Sequence, residues 1–269
     1  MVSKIKQEQL IALVKSKLTS KELEWVNSKT SMVSNIETSS KFNVFFSLIS
    51  RFISNENIIW SKNEKEQLNR IYPGFNKTIW TKHDLTRILL IIALDVSVNK
   101  SILIPFFQIA EMKEQVALYK GLYFLENAPE FKNQFAEGIR TNMANVFDAI
   151  ASGNPFAKAY LDEEEWNQLI LKSFFMDRKI FNIQNIAQGK NEHLANMLQD
   201  YVKERWAAGR QVSLEIWRMI DGYLRDDVKK IFSEKHFEGT EKEIITKFLE
   251  KNKPIPQEYW NTIEKNELK

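Results

Sequence analysis

The sequence predicts an all-α protein, because apolar residues recur at helical spacing along most of the chain and no convincing hairpin pattern interrupts them. Only eight glycines and six prolines occur among 269 residues, which is too few for an all-β fold rich in turns. The predicted helices are short and joined by brief turns, so consecutive helices are expected to form antiparallel pairs. We therefore predict an irregular HEAT-like α-solenoid or a compact stack of antiparallel helix pairs.

Capping residues and helix breakers predict on the order of a dozen helices. Helices are predicted to start after Ser20, Thr81, Ser213 and Thr240. Asp84, three residues after Thr81, completes a capping box there. Helices are predicted to stop at Pro73-Gly74, Gly153-Asn154-Pro155, Gly189 and Gly209. The segment 54–82 is expected to connect two helical layers. The predicted organisation is an N-terminal helical layer over residues 1–75 and a main helical domain over 76–269, together forming one continuous structural unit.

Composition excludes several classes of protein. The chain has 38 Lys and Arg against 35 Asp and Glu, so its net charge implies no nucleic-acid partner. It has no cysteine, which excludes disulfides, thiolate nucleophiles and cysteine zinc sites. Its three histidines, His83, His193 and His236, are too scattered for a metal site, and no glycine-rich phosphate loop occurs. We expect no metal and no cofactor.

The chain shows no segment expected to enter a membrane. The N-terminal residues 1–18 are amphipathic and rich in lysine, without the apolar core or cleavage site of a secretory signal. The most apolar run, residues 88–94, ends at Asp95, far short of the roughly 20 residues that a spanning helix needs. We expect a soluble, cytoplasmic protein with no membrane insertion.

Polar and charged residues interrupt apolar helical faces between residues 139 and 221. In the helix that contains Trp166 and Phe174, Asn167 projects towards the apolar side, and Lys172 lies on a narrow polar stripe. In the helix predicted for 191–207, the stripe of Leu194, Leu198 and Tyr201 also contains Arg205, and His193 flanks that stripe. A guanidinium in such a stripe is expected to be paired, stacked on an aromatic ring or facing a cavity. On a preceding long helix, Arg140 and Asn142 enter a face completed by Met143, Phe147 and Ile150.

Buried polar groups cost free energy unless they find partners, so these residues form either a site or an internal network. As a site, they predict a pocket for a small anionic or polar-aromatic ligand. The predicted ligand-binding residues are Arg140, Asn142, Asn167, Lys172, Tyr201 and Arg205. As a network, they would hold helices in register. A catalytic alternative uses Lys172 and His193 as acid and base groups, and a third interpretation is a protein-protein scaffold.

The same region resembles the EboA family. The resemblance is carried by several separated motifs in a fixed order, which lie within residues 139–221. They are Arg140-Thr141-Asn142, Phe147-Asp148-Ala149-Ile150, Asn154-Pro155-Phe156, Trp166-Asn167-Gln168-Leu169-Ile170-Leu171-Lys172, Leu194-Ala195-Asn196-Met197-Leu198, Tyr201, Glu204-Arg205-Trp206-Ala207-Ala208-Gly209-Arg210 and Leu214-Glu215-Ile216-Trp217-Arg218. Members of the family tend to have Gly-Leu-Asp in the loop before the tyrosine-containing helix, whereas this chain has residues 183–187, Ile-Gln-Asn-Ile-Ala.

The resemblance implies membership of a system of secondary metabolism encoded by bacterial ebo gene clusters. Neighbouring genes of such clusters encode proteins that look like a UbiA-type prenyltransferase, a dehydroquinate-synthase-like protein and a TatD-type hydrolase. The implied role is metabolite biosynthesis or export, with other ebo-cluster proteins as partners. The resemblance supplies no catalytic residues, so whether the protein is an enzyme stays open.

Overall fold

The structure is a computed structural model that describes residues 4–36, 38–250 and 255–267. Every regular element in these ranges is helical, apart from two isolated bridges, Asn57 to Thr81 and Ser152 to Ile183. The all-α prediction is therefore confirmed. The chain divides into a first unit, Met1–Asp162 with Asn182–Gln184, and a second unit, Glu163–Phe181 with Asn185–Lys269. The predicted layer over residues 1–75 lies inside the first unit, and the predicted division at residue 75 stays a prediction.

The first unit contains ten α-helices within the described residues. They are α1 (Lys4–Lys15), α2 (Ser20–Val33), α3 (Ser39–Phe52), α4 (Lys62–Ile71), α5 (Lys82–Ala93), α6 (Val96–Ile109), α7 (Met112–Gly121), α8 (Lys132–Gly138), α9 (Ala144–Ala151) and α10 (Pro155–Tyr160). Short 3-10 turns occupy Phe75–Lys77, Leu122–Phe124 and Ala128–Phe131. The segment 54–82 is thus more than a connection between layers, since it contains α4.

Helix α5 is the central helix of the first unit. It packs against α1, α2, α3 and α7, and its residues from Lys82 to Ile91 are all buried. The predicted capping box at its start is confirmed, because the Thr81 side chain accepts from the Asp84 backbone while the Asp84 side chain accepts from the Thr81 backbone. The capping box satisfies two N–H groups that a buried helix end cannot leave to water.

Two glycines bring two turns of the first unit into backbone contact. Gly74 has a φ of 94° and Gly153 a φ of 63°, both in the left-handed region that side chains disfavour. A Cβ on Gly74 would lie 2.5 Å from the Gly153 carbonyl oxygen. The neighbouring Ser152 hydroxyl donates to the Lys77 carbonyl, at 3.1 Å. The predicted stops at these two glycines therefore also mark a tertiary contact.

The second unit contains six α-helices within the described residues. They are α11 (Glu163–Phe175), α12 (Glu192–Ala207), α13 (Glu215–Ile220), α14 (Asp226–Glu234), α15 (Gly239–Glu250) and α16 (Gln257–Glu267). All six residues of α13 are buried. The Trp217 ring lies 5.7 Å from Trp206 of α12 and 5.6 Å from Phe232 of α14, measured between centroids. These aromatic contacts build the core around α13.

The residue that follows α13 is tied to the C-terminal part of the chain. Asp221 is 3% exposed, and its Oδ2 accepts from the Ile255 backbone at 2.9 Å and from the Trp260 indole at 3.4 Å. Lys190 donates to the Asp221 carbonyl at 3.2 Å. Burial raises the pKa of the Asp221 carboxyl, while Lys190 and the two hydrogen bonds act in the opposite direction.

Candidate functional site

The predicted site residues Arg140 and Asn142 lie in the first unit, on a loop. The long helix expected through them is wrong: α8 ends at Gly138 and α9 begins at Ala144. The Arg140 guanidinium is 71% exposed and pairs with Glu137, at 2.8 Å. Asn142 is also exposed. The chain turns after Gly138, and this turn carries both side chains to the surface rather than onto the buried face of α9.

Asn167 is buried, as expected from its position on α11. It is 1% exposed and forms a reciprocal amide pair with Asn191, the N-cap of α12. The Asn167 amide donates to Asn191 at 3.2 Å, and the Asn191 amide donates back at 2.8 Å. Beside it, the Trp166 indole donates to the Gly189 carbonyl, at 2.9 Å. These hydrogen bonds satisfy the buried polar groups and fix α11 against the start of α12.

The two catalytic candidates differ in exposure. Lys172 is partly buried on α11, and burial lowers the pKa of its ammonium group. His193 is exposed in the first turn of α12. Because burial favours the neutral form of a lysine, Lys172 releases its proton more readily than a solvated lysine does.

Tyr201 and Arg205 contact each other on α12. The Arg205 guanidinium lies over the Tyr201 ring at 5.9 Å, and its Nε and Nη2 donate to the Gln211 carbonyl at 3.1 and 2.9 Å. The Tyr201 hydroxyl donates to the Phe174 carbonyl at 3.3 Å. Burial raises the pKa of Tyr201. Arg205 therefore stacks on an aromatic ring and closes the loop after α12, which is one of the arrangements expected for it.

The predicted residues thus fall into two sets. Arg140 and Asn142 belong to the first unit, and Asn167, Lys172, His193, Tyr201 and Arg205 belong to the second. Within the second set, the structure joins Tyr201 to Arg205 and pairs Asn167 with Asn191. That these residues bind a ligand stays a prediction.

A denser group of charged residues surrounds α5 in the first unit, and sequence reasoning missed it. We call it the α5 cluster, and it consists of Glu22, Lys82, His83, Asp84, Arg87, Glu114 and Lys120, all less than 10% exposed. Helix α5 supplies four of these residues, α2 supplies Glu22, and α7 supplies Glu114 and Lys120. Buried charges are retained when they pair with each other or serve a ligand.

Most members of the α5 cluster have defined partners. Lys120 Nζ lies 3.2 Å from Asp84 Oδ2, donates to the Ile79 carbonyl at 2.8 Å and lies over the Trp80 ring at 4.7 Å. Lys82 Nζ lies 3.5 Å from Glu22. Burial opposes ionisation of Glu22, but hydrogen bonds from Ser54 and Thr19 prevail and lower its pKa to about 2. These pairs anchor the start of α5 to α2 and α7.

Arg87 differs from the other members of the α5 cluster. It is 4% exposed, and its Nε has no hydrogen-bond partner among the described residues. Its guanidinium lies over the Phe46 ring at 5.5 Å. Burial lowers the pKa of Arg87, and the charges of Glu114, Asp84 and Glu111 oppose that shift. Burying a guanidinium N–H without a hydrogen-bond acceptor costs free energy. Among the members of the α5 cluster, Arg87 is therefore the candidate for contact with a ligand.

The imidazole of His83 lies one helical turn before Arg87. Its Nε2 donates to the Ile53 carbonyl, at 2.7 Å. Burial lowers the pKa of His83; the hydrogen bond to Ile53 and the charge of Asp84 raise it, and Arg87 and Lys113 lower it further. The net effect is that the folded protein favours the neutral imidazole.

This shift predicts a loss of stability in mild acid. Because the folded pKa of His83 is depressed, the unfolded chain binds a proton that the folded chain does not as the pH falls below about 6.5. The contribution of His83 is fully present above that pH and declines below it, by at most about 1.4 kcal/mol per pH unit. Urea unfolding of the parent and of His83→Gln between pH 7 and 5 measures this. Equal pH dependence of the two proteins would contradict the assignment.

The sequence held one signal for the α5 cluster. Residues 82–87, Lys-His-Asp-Leu-Thr-Arg, lead directly into the apolar run 88–94. A charged segment that shares a helix with such a run is often a solvated helix start. Its burial depends on Glu22, Glu114 and Lys120, which are 27 or more positions from these residues, so the pattern alone does not reveal it.

Within the described residues, no group of three or more His, Cys, Asp or Glu side chains is arranged to hold a metal ion. No described helix is both long and apolar enough to cross a membrane.

Comparison with protein families places these features in a known group. The family model described as "Metabolite traffic protein EboA" matches residues 6–221, which is most of the 269-residue chain. The chain belongs to the EboA family. No curated protein and no solved structure matches it. The family description supports a metabolite-related role for this EboA protein, and the match includes the α5 cluster and both sets of predicted residues.

Some EboA-like motifs have structural functions in this chain. Asn154 is fully buried, and its side chain donates to the carbonyls of Ala149 and Tyr119 at 2.8 and 3.2 Å while it accepts from the Phe156 backbone. It therefore caps α10 and joins that helix start to α7 and α9. The Phe156 ring stacks on Phe135, with centroids 4.3 Å apart. In this EboA chain the Asn-Pro-Phe motif is thus a packing element.

Proposed function

We propose that this EboA protein binds a small metabolite that carries an anionic group, as a step of metabolite traffic. The family description supports the metabolite, and the environment of Arg87 supports the anionic group. The observation that carries the proposal is the Nε–H of Arg87, a charged donor that is almost fully buried and has no partner among the described residues.

The acidic residues near Arg87 are engaged with other donors. Glu114 accepts from the Ser47 hydroxyl at 2.6 Å and from the Glu111 backbone at 3.0 Å. Asp84 is paired with Lys120. Neighbouring carboxylates therefore offset the charge of Arg87 without using its Nε–H, whereas a carboxylate or phosphate ligand would accept from the guanidinium directly. The Phe46 ring beside the guanidinium is fully buried, and its cation–π contact helps to hold the Arg87 side chain in place.

The residues predicted in the second unit are a second candidate location. Lys172 carries the supporting observation, since its partial burial lowers its pKa. Tyr201 and Arg205 add an aromatic ring and a cation on the neighbouring α12. If this location is the site, the same lysine also serves the catalytic alternative, in which Lys172 and His193 act as acid and base. The scaffold alternative needs neither residue.

The test is native mass spectrometry of protein purified gently from a host that carries the neighbouring ebo genes. We expect a small molecule to remain bound to the parent and to be lost from Arg87→Met, which removes the cation and keeps an apolar side chain. Losing a charge-assisted hydrogen bond is expected to weaken binding at least roughly tenfold. Arg70→Met, at an exposed arginine of α4, is the matched control.

The other outcomes separate the alternatives. Loss of the molecule from Lys172→Met but not from Arg87→Met would place the site in the second unit and overturn the assignment to Arg87. A chemically altered molecule would favour the enzyme. Co-purification of a protein partner without any small molecule would favour the scaffold and contradict metabolite binding.

A further inference from the structure

Helices α2 and α3 carry an apolar surface in addition to their buried faces. The buried residues are Glu22, Val26 and Val33 on α2, and Phe42, Phe46 and Ile49 on α3. A separate stripe at helical spacing contains Trp25, Lys29 and Met32 on α2, and another contains Phe45 and Phe52 on α3. We call these five residues the α2–α3 face.

Contacts between the two stripes show that they form one continuous surface. The Trp25 and Phe52 rings stack with centroids 5.2 Å apart. The Lys29 ammonium lies over the Phe45 ring at 5.0 Å and 3.7 Å from Met32 Sδ. Phe52 is 51% exposed and Met32 is 50% exposed. Large apolar side chains are thus grouped in contact with solvent, an arrangement that indicates a binding surface.

The charge on these two helices is mainly basic. Besides Lys29, the cations are Lys21, Lys41 and Arg51, whereas Glu24 is the exposed acid, because Glu22 is buried and bonded to Thr19 and Ser54. Lys21 precedes Trp25 by one turn, and Lys41 precedes Phe45 by one turn. Cations therefore accompany Trp25 and Phe45, so the complement of this surface is an anionic one.

The position of Lys29 distinguishes a lipid surface from a protein partner. Lysine is depleted in the centres of protein-protein interfaces, yet Lys29 belongs to the α2–α3 face and contacts both Phe45 and Met32. At a lipid surface, a lysine extends its stem along apolar groups and presents its ammonium to phosphates. Trp and Phe beside Lys and Arg are the residues of helices that lie in the headgroup region.

We propose that the α2–α3 face binds the surface of an anionic lipid bilayer. Trp25, Met32 and Phe52 enter the headgroup region, and the surrounding cations contact lipid phosphates. This places metabolite handling by the protein at a membrane surface, and it is independent of whether Arg87 binds a ligand. The binding is peripheral and reversible, because only a few side chains enter the lipid.

Vesicle sedimentation of the full chain tests the proposal. The probes are vesicles of phosphatidylcholine with phosphatidylglycerol and vesicles of phosphatidylcholine alone. We expect partition onto the anionic vesicles that weakens as salt increases. Phe52→Asp is expected to lower the partition coefficient roughly tenfold or more, and so is the double variant Lys29→Glu/Lys41→Glu, because each cation near an anionic surface contributes to binding. Ile109→Asp, at a 68% exposed residue of α6, is the matched control.

Circular dichroism of each variant verifies that it is folded, and all changed side chains are at least partly exposed. Absence of parent protein on anionic vesicles would overturn the proposal. Equal losses for Phe52→Asp and Ile109→Asp would also overturn it, as would equal binding to both kinds of vesicle. If this face bound a protein partner and no vesicles, the proposal would be overturned, and that protein rather than lipid would be its ligand.

Discussion

Replacing Lys120 with methionine is expected to lower the free energy of unfolding by about 3–5 kcal/mol, which is the usual effect of removing one partner from a buried ion pair. The Lys120 side chain is 5% exposed and that of Asp84 is 11% exposed. Methionine keeps the apolar stem against Trp80 but removes the ammonium. The Asp84 carboxylate is then left without its cation, and the Ile79 carbonyl loses its donor. Urea unfolding measures the change.

A second variant tests the reason for this loss. The double variant Asp84→Asn/Lys120→Met should recover part of the loss, since it leaves no unpaired charge. A single-variant loss below about 1 kcal/mol would show that the pair is solvated.

Gly74→Ala is expected to destabilise the first unit by at least about 3 kcal/mol, because two costs combine. The left-handed φ of 94° is unfavourable for alanine, and the new Cβ would lie 2.5 Å from the Gly153 carbonyl oxygen and 2.9 Å from its Cα. Both contact atoms belong to the backbone, so no side chain can rotate away. Denaturant unfolding followed by circular dichroism provides the measurement.

Gly209→Ala separates the two costs. Gly209 also has a positive φ, 67°, but a Cβ there would meet no described atom within 4 Å. This control should lose only the conformational part, about 1–2 kcal/mol. Similar losses for the two variants would mean that the turns at Gly74 and Gly153 separate at little cost, and would contradict the close approach.

The fold class could be predicted from the sequence because it depends on local information. The capping box at Thr81 and the stops at Gly153 and Gly209 are encoded within a few residues, and the structure has them. The predicted start of α2 was one residue too late, since Thr19 rather than Ser20 is the N-cap. The break between α8 and α9 was missed although Gly138, Thr141 and Asn142 are residue types that favour helix ends and starts, because Met143, Phe147 and Ile150 continue the helical apolar spacing beyond them.

The polar residues show why sites are harder to predict than helices. The burial of Asn167 follows from the apolar residues around it on α11, but its partner Asn191 comes from another helix start. Arg205 was expected to pair, stack or face a cavity, and its acceptor is a loop carbonyl that no sequence pattern marks. Helices α2, α5 and α7 together supply the charged residues of the α5 cluster. These residues are buried only because the three helices pack together, and no local sequence pattern predicts that packing.

The hydrogen bonds from Ile255 and Trp260 to Asp221 link the region that the family model matches to the residues beyond it. The family match ends at residue 221, yet the carboxylate at that position is held by residues more than thirty positions later. The matched region therefore does not end at a natural border of folding, and a chain cut there would leave Trp217 uncovered on one side. In this chain the packing of α13 therefore depends on the C-terminal segment, and shortening that segment is expected to destabilise the region that the family model matches.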